Sequence, residues 1–236
     1  MASDIWEAPA GGPLHLPSDE VHVWHANLDD LAAALATDSE SDVRSALAGN
    51  PATARDILVQ QAREANELVR AGVASNPSAD PEVLWHLASD AQVSVRRGLA
   101  SNPSTPPPVL SRLAFCPHEP VTREAAAAPI LPAGWSMDPD DFVEVRKAIA
   151  SNRSTPLDIL ARLAVHRDPE IRGGVASNKQ TNPKILETLA RDAHSHVRMH
   201  VAANPSIGLH TLERLAADDD AAVRSGAARN GRAPSA

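Results

Sequence analysis

The chain says nearly the same thing eight times. "VRAGVASNPSADPEVLWHLA" from Val69 returns as "VRRGLASNPSTPPPVLSRLA" from Val95, as "VRKAIASNRSTPLDILARLA" from Val145 and as "IRGGVASNKQTNPKILETLA" from Ile171. Aligned on the apolar anchor, the registers start at Val43, Val69, Val95, Val121, Val145, Ile171, Val197 and Val223, with steps of 26 residues and one of 24. Seven residues after the anchor stands Asn50, Asn76, Asn102, Asn152, Asn178, Asn204 or Asn230, with Ala128 in the fourth register. An alanine stands five residues after every anchor. A period of this length marks an array in which each unit buries its apolar face only against its neighbours.

Each unit reads as two short helices. The anchor, the residue four later (Leu47, Val73, Leu99, Ile149, Val175, Val201) and the following alanine lie on one face of the first. The Asn fits a left-handed C-terminal turn, and the proline that often follows prevents continuation. The second helix opens on Thr105-Pro106 or Thr155-Pro156, read as N-cap and first helical residue. It carries apolar residues such as Val83, Leu84 and Leu87. Strand-like alternation is absent. The expected fold is all-α: one solenoid over 17–230 of seven to eight units, irregular at 121–144. Residues 1–16 are read as an extended segment and 231–236 as a mobile tail. Before the first anchor, Leu28, Leu31 and Leu35 stand where a second helix would be; after Asn230, "GRAPSA" offers none.

The string V-R-x-x-V-A-x-N-P-x-T-P-x-x-x-L-x-x-L-A resembles the leucine-rich repeat variant motif over roughly residues 43–230. The resemblance implies a right-handed superhelix of alternating α- and 3₁₀-helices, the first and shorter helix of each unit being the 3₁₀ one. The family's founding example carries an N-terminal iron–sulfur module held by four cysteines. This chain has only Cys116, so no cluster, disulfide or other cofactor is expected.

Composition narrows the function. The net charge of −8 and the 3% aromatic content argue against a surface built for phosphate or base stacking. A single cysteine, no basic-apolar leader and no apolar run long enough to span a bilayer point to the cytoplasm, without membrane contact. There is no phosphate loop, nucleophile elbow or H-E-x-x-H, and hence no enzymatic expectation. Cys116 and His118 are close in sequence but form no recognisable catalytic motif.

Four features remain. Arg44, Arg70, Arg96, Arg146, Arg172, Arg198 and Arg224 follow their anchors by one residue. They form either a basic stripe or ion pairs with the acids five residues before the anchors: Asp38, Glu64, Asp90, Asp140, Asp192 and Asp218. The asparagines form a structural ladder that satisfies turn backbone. The fourth register, "AAAAPILPAGWSMDPDDFVEVR", loses the Leu-rich helix, so 128–142 should be the most irregular stretch. Finally, "HSHVRMH" places His194, His196 and His200 close together, but a metal site needs a third well-placed ligand, and none is assigned. The expected role is a non-catalytic scaffold for another protein. Its contacts are placed at Trp135, Met137, Asp138, Phe142, Arg96, Arg97 and Arg146. The alternative is a nucleic-acid backbone tracked by the Arg ladder.

Overall fold

The computed structural model describes residues 30–114 and 139–231. These form helices and connecting turns, with no strand among the described residues. Seven helices make one layer: α2 (Ser41–Gly49), α4 (Glu67–Ser75), α6 (Val93–Ser101), α8 (Pro139–Ser151), α10 (Pro169–Ser177), α12 (Ser195–Ala203) and α14 (Ala221–Ala228). Seven more alternate with them along the chain: α1 (30–36), α3 (Arg55–Gln61), α5 (Pro81–Leu87), α7 (Pro107–Ala114), α9 (Leu157–Leu163), α11 (Pro183–Leu189) and α13 (Leu209–Ala216). Each helix of the first layer stacks on the next, α2 on α4, α4 on α6 and so to α14, while the second helices pack beneath their own and the following unit. The fold is a helical-repeat solenoid.

The repeated string explains the stack. The anchors Val69, Val95, Ile171, Val197 and Val223 are wholly buried, as are Val73, Leu99, Ile149, Val175 and Val201 one turn later and the alanines that follow. With few aromatics, the layers must approach closely, and the residue three after the anchor decides how closely. A Cβ on Gly72 would lie 2.8 Å from the Ala48 methyl and 2.8 Å from the Ser45 carbonyl, and one on Gly174 would lie 2.9 Å from the Ala150 methyl. Glycine is kept here for contact between backbones.

Three local expectations are corrected. Both helices of each unit are α-helical among the described residues, and the first is usually the longer, nine residues against seven or eight. Stacking on both sides secures the first helix as regular α. The helix-ending asparagines are extended, not left-handed, as at Asn76 (φ −75°, ψ 119°) and Asn178 (φ −71°, ψ 121°). A following proline disfavours helical backbone at Asn76, Asn102 and Asn204, and at Asn76, Asn102, Asn152, Asn178 and Asn204 the side chain is held by the preceding unit. Thr105 and Thr155 do not cap the second helix. Their hydroxyls point back and donate to the Leu99 and Ile149 carbonyls, both at 2.6 Å, closing the end of the first helix. The N-cap of α9 is Pro156.

The largest difference concerns the fourth register. Its anchor Val121, Ala126 and Ala128 lie outside the described residues, as do Cys116 and His118. What the described residues show is that α8 stacks directly on α6. Asn152 donates to the carbonyls of Ala100 (2.7 Å) and Asn102 (2.9 Å), 52 and 50 residues away. At a regular joint, Asn102 donates to Ala74 and Asn76, 28 and 26 residues away. The unit after the third is therefore the one anchored at Val145. The helix begins early, at Pro139, inside the stretch read as most irregular. Phe142 enters the core on it, 8% exposed.

Candidate functional site

The polar residues of each unit are spent on joints between units. An inner asparagine makes three bonds. Its amide donates to two carbonyls of the preceding unit, at the alanine and asparagine positions, and its side-chain oxygen accepts the N–H two residues on. For Asn178 these are Ala150 (2.8 Å), Asn152 (2.8 Å) and Gln180 (2.9 Å). Asn76, Asn102, Asn152 and Asn204 repeat the arrangement. Asn50 differs: it is exposed, its oxygen accepts from Ala52, and its amide meets no carbonyl. A neighbouring ladder escaped sequence reading. Ser78, Ser104, Ser154 and Ser206 donate to the carbonyls of Pro51, Pro77, Pro103 and Lys179 of the unit before. Serine is too common in turns for its recurrence to single it out.

The arginines reach the other way, into the following unit. Arg70 pairs with Asp90, Arg172 with Asp192 and Arg198 with Asp218, each through Nε and Nη2 to both carboxylate oxygens at 2.6–3.2 Å. Arg44 reaches Glu64 through Nε at 3.1 Å. The Nη1 of each donates to two carbonyls of its own entry turn, as Arg172 does to His166 (2.7 Å) and Arg167 (2.9 Å). One guanidinium thus ties an entry turn to the acid of the next unit, in the bidentate geometry arginine favours. The charges respond. Burial opposes ionisation of Asp192, but bonds from Arg172 and from the His194 N–H outweigh it and hold its pKa at about 2. Asp218 is lowered chiefly by its bond from Arg198. Where the acid position holds His166, its Nδ1 takes over the turn-closing role and accepts the Asp168 N–H at 3.0 Å.

The residues placed at the partner surface separate. Arg96 is 1% exposed, and its Nη1 donates to the Asp90 and Ala91 carbonyls. Arg146 is buried; its Nε donates to the Ala114 carbonyl at 3.0 Å and its guanidinium carbon lies 5.9 Å from the Phe142 ring centroid. Arg97 faces solvent. Trp135, Met137 and Asp138 lie outside the described residues.

The histidines form an edge-on row, with ring centroids 5.9 Å apart for His194–His196 and 6.5 Å for His196–His200. His196 Nε2 lies 3.6 Å from a Glu170 oxygen. Gly173 of the preceding unit leaves the space that His200 and His196 fill. Burial first, then the neighbouring His196, lowers the His200 pKa. Among the described residues no group of three or more His, Cys, Asp or Glu is arranged to hold a metal ion, and no helix is long and apolar enough to cross a membrane.

No family model and no curated protein sequence matches the chain. Among solved structures it is similar to a leucine-rich repeat variant with a repetitive structural motif, at 25% identity and a TM-score of 0.50, over 84% of this chain and 70% of that one. It also aligns with an engineered protein (15% identity, TM-score 0.33, 89% of this chain and 68% of that one) and with a designed armadillo repeat protein (12%, 0.32, 84% and 96%). The chain is a helical-repeat solenoid, and its fold is similar to that of the leucine-rich repeat variant.

Proposed function

We propose that the protein is a non-catalytic scaffold that binds another protein along its solvent-facing positions. One observation carries the reading: Arg44, Arg70, Arg172 and Arg198 spend their guanidinium groups inside the stack. A ladder paired in this way is no stripe for a phosphate backbone, and the net charge of −8 opposes one as well. The surface instead varies from unit to unit, with Leu68, Trp85, Leu157 and Val165 exposed at unrelated places. Variable exposed positions on a constant core are how solenoids recognise partners. Partner contact is assigned to Trp85 and Arg97, and to Trp135, Met137 and Asp138 in the chain between Ala114 and Pro139. That stretch includes no described unit and holds one of only four tryptophans.

Affinity capture with the intact chain, followed by titration of the purified partner, tests this. Trp85→Ala or Trp135→Ala should weaken binding by about 1–2 kcal/mol at an aromatic hot spot while the helical circular dichroism stays unchanged. Equal affinity in both variants would move the site elsewhere. Tight binding to random-sequence oligonucleotide that weakens steeply with salt would overturn the reading in favour of nucleic acid.

A further inference from the structure

The two ends of the stack are halves of one unit. At the C-terminal end, α14 is a first helix, and no described residue follows it to supply a second. At the N-terminal end, α1 is a second helix, and no described residue precedes it to supply a first. At α14 the anchor Val223 and Ala227 are buried, but the positions that a following unit covers inside the stack are open. Ala228 is exposed, whereas Ala74, Ala100, Ala176 and Ala202 are sealed; Ala216 is exposed, whereas Ala88 and Ala114 are sealed. Arg224 makes the usual two bonds to its own turn, at Asp218 and Asp219, but Nε and Nη2, which inside the stack hold the next carboxylate, hold none. Leu209 (59% exposed), Leu212, Ala216 and Ala227 line an open apolar groove of about 510 Å³ beside it.

The opposite end carries the complementary set. The carboxylate of Asp38, the acid five before the first anchor, is bonded by the Glu40 N–H, as that of Asp90 is by Gln92; Arg44 donates to the Asp38 carbonyl, but among the described residues no arginine pairs with the carboxylate. The Asn50 amide stands in ladder register with no carbonyl to donate to. Leu31 is 54% exposed and Val43 only half-buried, where the other described anchors are sealed. Leu31 and Leu35 precede Val43 by 12 and 8 residues, as Val83 and Leu87 precede Val95. They are spaced to act as the second helix that no described residue supplies to α14.

We propose that the α13–α14 end is a docking surface for the α1–α2 end of a second copy of this chain. In the joint, α1 of the second copy completes the unit begun by α14, and its α2 stacks on α14 as α4 does on α2. Asp38 of the second copy takes the bidentate place on Arg224, and its Asn50 amide donates to the Ala228 carbonyl. Positive Arg224 against negative Asp38 sets polarity, because like ends present like charges. The interface is heterologous, so copies add head to tail, into a ring if the rotation closes and an open filament if it does not.

Sedimentation velocity on the full chain from about 1 μM to about 1 mM reads the result. The expected outcome is a mass that rises with concentration. Arg224→Glu and Asp38→Arg should each raise the apparent dissociation constant at least about tenfold. An equimolar mixture of the two should associate again, since each then offers the other an opposite charge at both ends. Asn50→Ala, which removes an amide unused in the free chain, should weaken association while leaving the melting temperature in place. A monomer at every concentration overturns the proposal. So does association that neither reversal alters, or that the mixture fails to restore.

Discussion

Two joints of the solenoid look alike and are made from very different lengths of chain. Between α4 and α6 the stacked asparagines Asn76 and Asn102 are 26 residues apart; between α6 and α8, Asn102 and Asn152 are 50 apart. Amide-to-carbonyl distances are the same within 0.2 Å, and Ser154 reaches the Pro103 carbonyl as Ser104 reaches that of Pro77. The difference teaches that a joint is defined by its anchors and its asparagine, not by the distance travelled in sequence. Among the described residues, the units on either side of 115–138 make the same ladder bonds as at a regular joint. A longer separation between joined units is cheap in chain entropy, about 0.6 kcal/mol per doubling of a flexible connection.

Breaking a joint at its asparagine should have the largest effect. Asn102→Ala and Asn152→Ala each remove two bonds to carbonyls that stay buried, and urea unfolding should show a loss of about 2–4 kcal/mol at either joint. Asn50→Ala should cost less than about 0.5 kcal/mol, since that amide has no partner. If Asn152→Ala proved as mild as Asn50→Ala, the joint across the long connection would not be equivalent to a regular one. Next comes Gly72→Ala, where the new methyl meets the Ser45 carbonyl at 2.8 Å. It should cost about 1–3 kcal/mol in thermal unfolding, as overpacked sites do, whereas Gly49→Ala, which meets nothing within 4 Å, should be neutral or mildly stabilising.

Replacing residues 115–138 by a four-residue turn copied from 89–92 sharpens the comparison directly. The stack should persist with unchanged helical signal and gain about 1–2 kcal/mol from the shorter closure; collapse of the helical signal would show that the removed stretch builds the joint.

The smallest effect concerns the ion pairs, worth about 1 kcal/mol for Asp192→Asn by urea unfolding at pH 7. The acid dependence has a definite sign. Folded Asp192 has a pKa of about 2, below its ordinary value of 3.8, so the pair's contribution is complete above that ordinary value and lost as pH falls toward 2. His200 acts in the same direction at higher pH: its folded pKa lies below 6.5, so the unfolded chain takes the proton first and stability declines as pH falls below that value. His200→Gln should flatten the decline between pH 7 and 5 while leaving the loss below pH 4 intact.

The period, the two-helix unit, the buried anchors and the roles of Asn and Arg as ladders could be read from the chain, because eight copies of one string expose which positions cannot vary. The direction of the ladders could not. Asparagine reaches back and arginine forward, and a repeat read alone does not distinguish its neighbours. Thr105 resembled an N-cap because Thr-Pro is one locally, yet the carbonyl that claims its hydroxyl belongs to the helix before it. Val121 matched the anchor register as well as any other, and only the contacts between α6 and α8 show that the unit of Val95 stacks on the unit of Val145. By itself the sequence determined the unit, since helical periodicity and turn residues act within about ten residues. The tertiary structure decided which units meet, because a joint is a match between two surfaces, and neither surface is encoded in the spacing between them.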